Sequence, residues 1–317
     1  MKKALLVSLC LVILTGMVLT TSCQQKAGPI YIPLVSKGFQ HQFWVAVRQG
    51  AEKAAAEFNV SINFIGPETE TQVDRQMDML QTELAKNPSA LGFAALDSRA
   101  AIPVLRQASL RGIPVIAFDS GVDSDIPLTT VSTNNMDAAA LAADKMAEAI
   151  GGSGKVAVIV HDQTSRTGIE RRDGFLQRMA SRYPNIQVLE VQYGSGDHLR
   201  SADIAKAVIN ANPDLKGYYG ANEGSAIGVV NAVNELGIAG RITVIGFDSG
   251  KAQLDAIRSG LMYGAVQQNP VGMGYETVRA AIRALNGETL PTHIDSGFVW
   301  ADATNLDSAE VRAVVYE

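Results

Sequence analysis

From residue 30 onward the apolar residues fall into two alternating patterns. Short, nearly unbroken apolar runs predict strands over 30–36, 61–65, 90–94, 113–118, 129–132, 155–160, 187–191, 217–220, 242–247 and 263–266. Between them, apolar positions recur at helical spacing over 42–58, 71–85, 99–111, 136–150, 168–182, 201–211, 225–236, 252–259 and 271–285. Strands that alternate with helices of this length imply βαβ units and parallel sheets. Pro33 lies inside the first predicted strand, where a missing N–H is awkward for a central position. Helix boundaries carry their own chemistry. Asn134, Asn222 and Pro270 stand at or near helix starts, and Pro88, Pro184 and Pro213 just beyond helix ends.

The pattern divides near residues 132–134, with about four βα units on each side. The second half overruns, adding a long helix and a polar tail. No Gly/Ser/Pro linker separates the halves, so a chain that crosses between two lobes is expected rather than two beads on a string. One repeat ties the halves together. Residues 113–121 read Ile-Pro-Val-Ile-Ala-Phe-Asp-Ser-Gly and residues 242–250 read Ile-Thr-Val-Ile-Gly-Phe-Asp-Ser-Gly, agreeing at seven of nine positions. Each is a strand that stops at an Asp, and Ser-Gly then turns the chain. Ligands of open α/β sheets sit beyond the carboxyl ends of the strands, which puts Asp119 and Asp248 where one ligand held between two lobes would be.

The first residues have a different character. Lys2 and Lys3 precede a mostly apolar run to Leu19, then small residues and Cys23. This is a signal-peptide pattern over 1–22, too short for a membrane span. Cys23 resembles the lipidated Cys of bacterial lipoproteins, although Thr20 stands where the usual Leu would be. Residues 23–29 then form a short tether, and the membrane is met only through a lipid. The other cysteine, Cys10, lies within the signal, so the exported body has no internal disulfide.

Composition narrows the function. The formal charge of −5, without a basic run, argues against a nucleic-acid surface. Gly151-Gly152-Ser153-Gly154-Lys155-Val156 lacks the Ser or Thr of a phosphate loop and precedes a strand, so it reads as a turn. No Gly-x-Ser-x-Gly, His-Glu-x-x-His or Cys-x-x-Cys occurs, and the four His are scattered. Neither a metal nor a cofactor is expected.

Several segments together resemble the periplasmic sugar-binding proteins of the ribose-binding type, the solute-binding components of ABC transporters. They are Val35–Trp44, Gly50–Ala55, Gly112–Asp119, Gly168–Phe175 with its Glu170-Arg171-Arg172-Asp173-Gly174-Phe175, Gly220–Glu223 and Val244–Asp248. The likeness covers almost all of residues 30–317. It implies two doubly wound parallel-sheet lobes joined by three crossing segments, with a sugar in the cleft. One lobe would comprise 30–132 with about 269–296, the other 133–268 with about 297–317.

A sugar presents hydroxyls that both donate and accept, and apolar C–H faces. A dry cleft therefore needs carboxylates, amides, guanidinium groups and aromatic rings. By position, Phe43 and Trp44 would cover the ring, although aromatics at a helix start also serve as core. Lys37 and His41 occupy the loop before that helix, where the family often has Ser or Asn. Asp119 and Asp248 would accept hydroxyl protons. Ser120 stands where the family often has Arg, which removes a bidentate donor. Arg171 would reach the cleft as a charged donor unless it pairs with Glu170 or Asp173 at the surface. Asn222 can cap a helix and still bind, and Gln268 lies at an expected crossing. Arg166, Arg172, Tyr193 and His198 are weaker candidates.

The expected protein is thus a monomeric binder on the periplasmic or cell-surface side of a bacterial membrane. It delivers a monosaccharide or polyol to an ABC permease. A sensor feeding a chemoreceptor or histidine kinase is the alternative. A sugar-responsive transcription regulator would need a helix-turn-helix where the signal lies. A glycoside-processing enzyme would have to use Asp119 and Asp248 as its carboxylate pair.

Overall fold

The computed structural model describes residues 29–316. The expected signal segment and Cys23 lie outside these residues. No helix among the described residues is long and apolar enough to cross a membrane.

The chain forms two sheets. The first contains β1 (Tyr31–Val35), β2 (Ser61–Ile65), β3 (Leu91–Phe93), β4 (Val115–Phe118) and β5 (Thr129–Ser132), with β12 (His293–Asp295) added at the β5 edge. Its order is β2-β1-β3-β4-β5-β12 and all pairings are parallel. The second contains β6 (Gly154–Val160), β7 (Ile186–Val188), β8 (Gln192–Tyr193), β9 (Leu215–Gly220), β10 (Thr243–Phe247), β11 (Gly264–Gln268) and β13 (Phe298–Asp302). Its order is β7-β6-β9-β10-β11-β13, with β8 also on β6 and only β13 antiparallel. Both sheets therefore share one winding order, and the two repeated sequence segments, β4 and β10, occupy the same place in it. Even their exits match. The Asp119 N–H donates to the Val131 carbonyl of β5 at 2.9 Å, and the Asp248 N–H to the Val266 carbonyl of β11 at 2.8 Å.

Helices follow the strands. They are α1 (Gln42–Phe58), α2 (Val73–Ala85), α3 (Ile102–Leu110), α4 (Asn135–Ala149), α5 (Arg166–Arg182), α6 (His198–Ala211), α7 (Glu223–Glu235), α8 (Lys251–Arg258), α9 (Pro270–Leu285) and α10 (Ala309–Arg312). Within the described residues the chain passes between the sheets three times: from β5 to α4, from β11 to α9, and from β12 to β13.

The central strands are buried on both faces, which is why their sequences read as continuous apolar runs. In the second lobe Tyr218 and Val244 pack on one side with Val229 and Leu254, while Tyr219 and Ile245 pack on the other with Phe175. In the first lobe Val35, Leu91, Phe93 and Val115 pack with Leu80 and Leu105. Helices α1 and α9 cross with almost no space between backbones. A β-carbon on Gly274 would fall 1.9 Å from the Val47 carbonyl oxygen, and one on Gly50 would fall 1.9 Å from that of Val271.

Two expectations change. Residues 286–317 are not simply a polar tail, since they supply β12, β13 and α10. Both are edge strands, β12 on β5 and β13 on β11; β12 has little strand character of its own, whereas Phe298-Val299-Trp300 of β13 is strand-favouring. Of the run at 187–191 only 187–188 are strand, within β7, and the short β8 follows beyond it at 192–193. Pro33 is accommodated because β3 joins β1 only from Leu34 onward.

Candidate functional site

The carboxyl ends of both sheets face each other across a cleft, and the lobes touch along it. Ser98 N–H donates to the Thr164 carbonyl at 3.0 Å, the Gln40 amide to the Gly196 carbonyl at 3.2 Å, and Lys251 N–H to Gln42 Oε1 at 2.9 Å. Arg166 reaches Asp123 across the same seam at 3.5 Å.

Between these contacts lies a small polar cavity, tightly closed by the two lobes. From the first lobe come Lys37 and His41 of the β1–α1 loop, Phe43 and Trp44 of the first turn of α1, and Asp119 beyond β4. From the second come Arg171 of α5, Asn222 beyond β9, Asp248 beyond β10, and Gln268 at the end of β11. All nine residues singled out in the sequence thus surround one cavity. Two more line it that sequence reasoning missed: Glu70 from the β2–α2 loop and His161 just past β6.

Asp119 and Asp248 share an unusual backbone. Both have positive φ, 56° and 82°, a conformation Asp adopts more readily than bulky residues do. It turns the chain sharply at the strand tip and leaves the carboxylate buried at the cleft, 5% and 4% exposed. Asp248 is held by the Glu223 N–H at 3.0 Å and the Gln268 amide at 2.6 Å, with the Arg171 guanidinium 3.9 Å away. Thr133 in turn donates to the Gln268 carbonyl oxygen at 2.9 Å, fixing the amide's orientation.

Arg171 does not form the alternative surface pair. It is buried, donates to Asn135 Oδ1 at 2.8 Å and to the Ala221 carbonyl at 3.1 Å, and stacks on Phe247 with its guanidinium carbon 3.8 Å from the ring centre. Asn222 caps α7 through its side-chain oxygen, which accepts from Ser225 N at 3.0 Å, and this leaves its NH₂ as a donor. Phe43 and Trp44 meet edge to face at 5.0 Å, and Trp44 also packs on Phe118.

Ser120, beside the first-lobe Asp, is fully buried. A cation comes from Lys37. Its ammonium donates to Thr167 of the second lobe at 3.2 Å and lies 3.8 Å from Glu70. Burial works against that charge, yet Glu70, Asp162 and Asp119 outweigh it and hold the ammonium above the ordinary lysine range. Glu70 shows the converse. Burial would raise its acid, but Lys37 and the Trp44 indole N–H at 2.7 Å hold it below the usual carboxylate range. For Asp119 burial prevails over Lys37 and Arg171 and pushes the carboxyl up to about 6. Burial likewise pushes His161 well below the imidazole range, so it is neutral, with Nε2 3.1 Å from the Thr167 hydroxyl.

The weaker candidates lie elsewhere. Arg172 pairs with Asp173 and reaches Tyr193, and Arg166 pairs with Glu170; neither arginine lines this cavity, nor does Tyr193 or His198. Among the described residues no group of three or more His, Cys, Asp or Glu could hold a metal ion. The cavity wall thus brings together three carboxylates, the cations of Lys37 and Arg171, the Asn222 amide and two aromatic rings.

Two lobes with identical winding, a triple crossing and a polar interlobe cavity define a two-lobed binding protein of the periplasmic type. The chain belongs to the periplasmic binding protein domain family, whose model matches residues 32–289. It is 26% identical over 287 residues to the D-allose-binding periplasmic protein of Escherichia coli, covering 88% of this chain and 91% of that one. It is 27% identical over 278 residues to the D-ribose/D-allose-binding protein of Pseudomonas aeruginosa, covering 84% and 86%. Among solved structures, an ABC transporter solute-binding protein from Agrobacterium vitis bound with alpha-D-tagatopyranose superposes with a TM-score of 0.87 at 33% identity, covering 91% of this chain and 99% of that one. The protein is a member of the sugar-binding ABC solute-binding group and not an enzyme, and its family points to the periplasm.

Proposed function

We propose that this chain binds a neutral monosaccharide or related polyol in the interlobe cavity and delivers it to the membrane subunits of an ABC permease. The observation that carries this reading is the convergence of two strand-tip carboxylates, one from each lobe, on one buried cavity with aromatic rings beside it. Residues 30–132 with about 269–296 act as one lobe and 133–268 with about 297–317 as the other, in a monomer. Residues 1–22 serve as an export signal, and Cys23 carries a lipid at the end of a tether over 23–29.

In this reading Asp119, Asp248 and Glu70 accept hydroxyl protons, while Lys37, Arg171 and Asn222 donate. His41 and Gln268 do either, and Phe43 and Trp44 cover the ring. Three buried carboxylates against two cations disfavour a further negative charge, which supports a neutral ligand over a sugar acid or phosphate. Closure follows from contacts that only the closed form offers from both lobes. The test is a thermal-shift screen of the protein against aldoses, ketoses and sugar alcohols. A sugar at 100 times its dissociation constant adds about 2.7 kcal/mol of stability. The shift should disappear in both Asp119→Ala and Asp248→Ala. No shift with any sugar, or a shift that survives both substitutions, contradicts the reading.

A further inference from the structure

The tail beyond β13 does more than close the second lobe. Leu306 and Val311 sink into that lobe's core and anchor the tail there. Tyr316 then turns into the cleft, where it is 8% exposed. Its ring meets the ring of Phe43 edge to face, with centres 6.3 Å apart, and Phe43 lines the cavity from the opposite lobe. Its hydroxyl accepts from Ser249 N–H at 3.4 Å and donates to Glu223 Oε2 at 3.2 Å. The other oxygen of Glu223 accepts from the Gln42 N–H at 3.3 Å, in the first turn of α1 beside Phe43. So ring and hydroxyl both lead, by separate routes, from the second lobe to one turn of the first.

We propose that Tyr316 is a positioning residue for ligand binding: it sets Phe43 against the ligand and joins the lobes through Glu223 only when they are closed. The proposal rests on the cavity being the sugar site. The phenol stays neutral, since burial and the nearby Asp248 and Glu223 carboxylates push its acid well above the ordinary range. Its single proton is therefore committed to Glu223 while its lone pair faces Ser249. Both contacts with the first lobe, ring to ring and through Glu223, end when the cleft opens. Loss of Tyr316 should then favour the open form, beyond the cost of its Ser249 and Glu223 bonds within the second lobe.

The test compares wild type, Tyr316→Phe and Tyr316→Ala by three measurements. They are the unfolding midpoint without sugar, small-angle scattering without sugar, and calorimetric titration with D-allose, D-ribose and D-tagatose. Tyr316→Phe keeps the ring and loses one hydrogen-bonded hydroxyl, so binding should weaken about threefold. Tyr316→Ala loses the ring contact as well and should weaken binding about tenfold or more, through faster dissociation. Its radius of gyration should exceed that of wild type while the chain stays folded at the assay temperature. A fall in midpoint and affinity with the wild-type radius of gyration would assign Tyr316 a purely structural role and overturn the proposal. So would Tyr316→Ala scattering and binding as wild type does. A wild type that binds none of the three sugars counts against the sugar reading, and scattering alone then decides the role of Tyr316.

Discussion

Asp119 offers a perturbation in which stability and affinity move in opposite directions. Its carboxyl is raised to about 6 from the ordinary aspartate value of 3.8, with burial the leading cause. That difference in proton affinity corresponds to about 3 kcal/mol. The folded protein holds this proton more tightly than the unfolded chain does, so between pH 4 and 6 the native state binds more protons. The stability that Asp119 contributes is therefore fully present below about pH 4 and lost as pH rises through about 6. Asp119→Asn mimics the protonated form at every pH. Urea unfolding of both proteins without sugar should show little difference at pH 4, and at pH 7.5 a variant more stable than wild type, by up to about 3 kcal/mol. Sugar binding should show the reverse. A hydroxyl donates better to the ionised carboxylate, so wild-type affinity should rise as pH climbs through about 6, while the variant binds weakly throughout. A variant less stable than wild type at pH 7.5, or wild-type affinity flat between pH 5 and 7.5, would refute the reasoning.

Other substitutions probe different links. Gly274→Ala places a methyl against the Val47 carbonyl where α9 crosses α1, and should lower stability by about 1–3 kcal/mol, read by urea unfolding. Lys37→Met removes the cation facing Glu70 and the bond to Thr167; affinity for the sugar should drop at least about tenfold, measured by calorimetry. Arg166→Ala loses a half-exposed pair with Asp123 across the seam, and should change affinity by less than about fivefold in the same assay.

The repeat at 113–121 and 242–250 made the site legible, because a strand tip has one chemical address in a doubly wound sheet: β4 and β10 take equivalent places, and Asp119 and Asp248 leave them through equivalent bonds. Helix ends were legible for similar local reasons. Asn134 and Asn222 cap α4 and α7 through their side-chain oxygens, and Gly112 and Gly237 have positive φ just past α3 and α7. Edge strands were not legible. His293–Asp295 has three residues and no apolar alternation, and becomes a strand only because β5 presents a free edge. Glu70 lies in a polar loop where nothing local separates it from Glu68; only the lysine brought in by another loop makes it part of the site. His161 could have been found, since it stands directly beyond β6, at the same kind of strand tip as Asp119 and Asp248.

The most direct measurement is a crystal structure with the sugar that gives the largest thermal shift. The expected density is one sugar between the lobes, with hydroxyls within hydrogen-bond distance of both Asp119 and Asp248 and a ring face against Phe43 or Trp44. A sugar found outside the cleft, or one touching only a single lobe, would contradict the claim that the two strand-tip carboxylates hold one ligand.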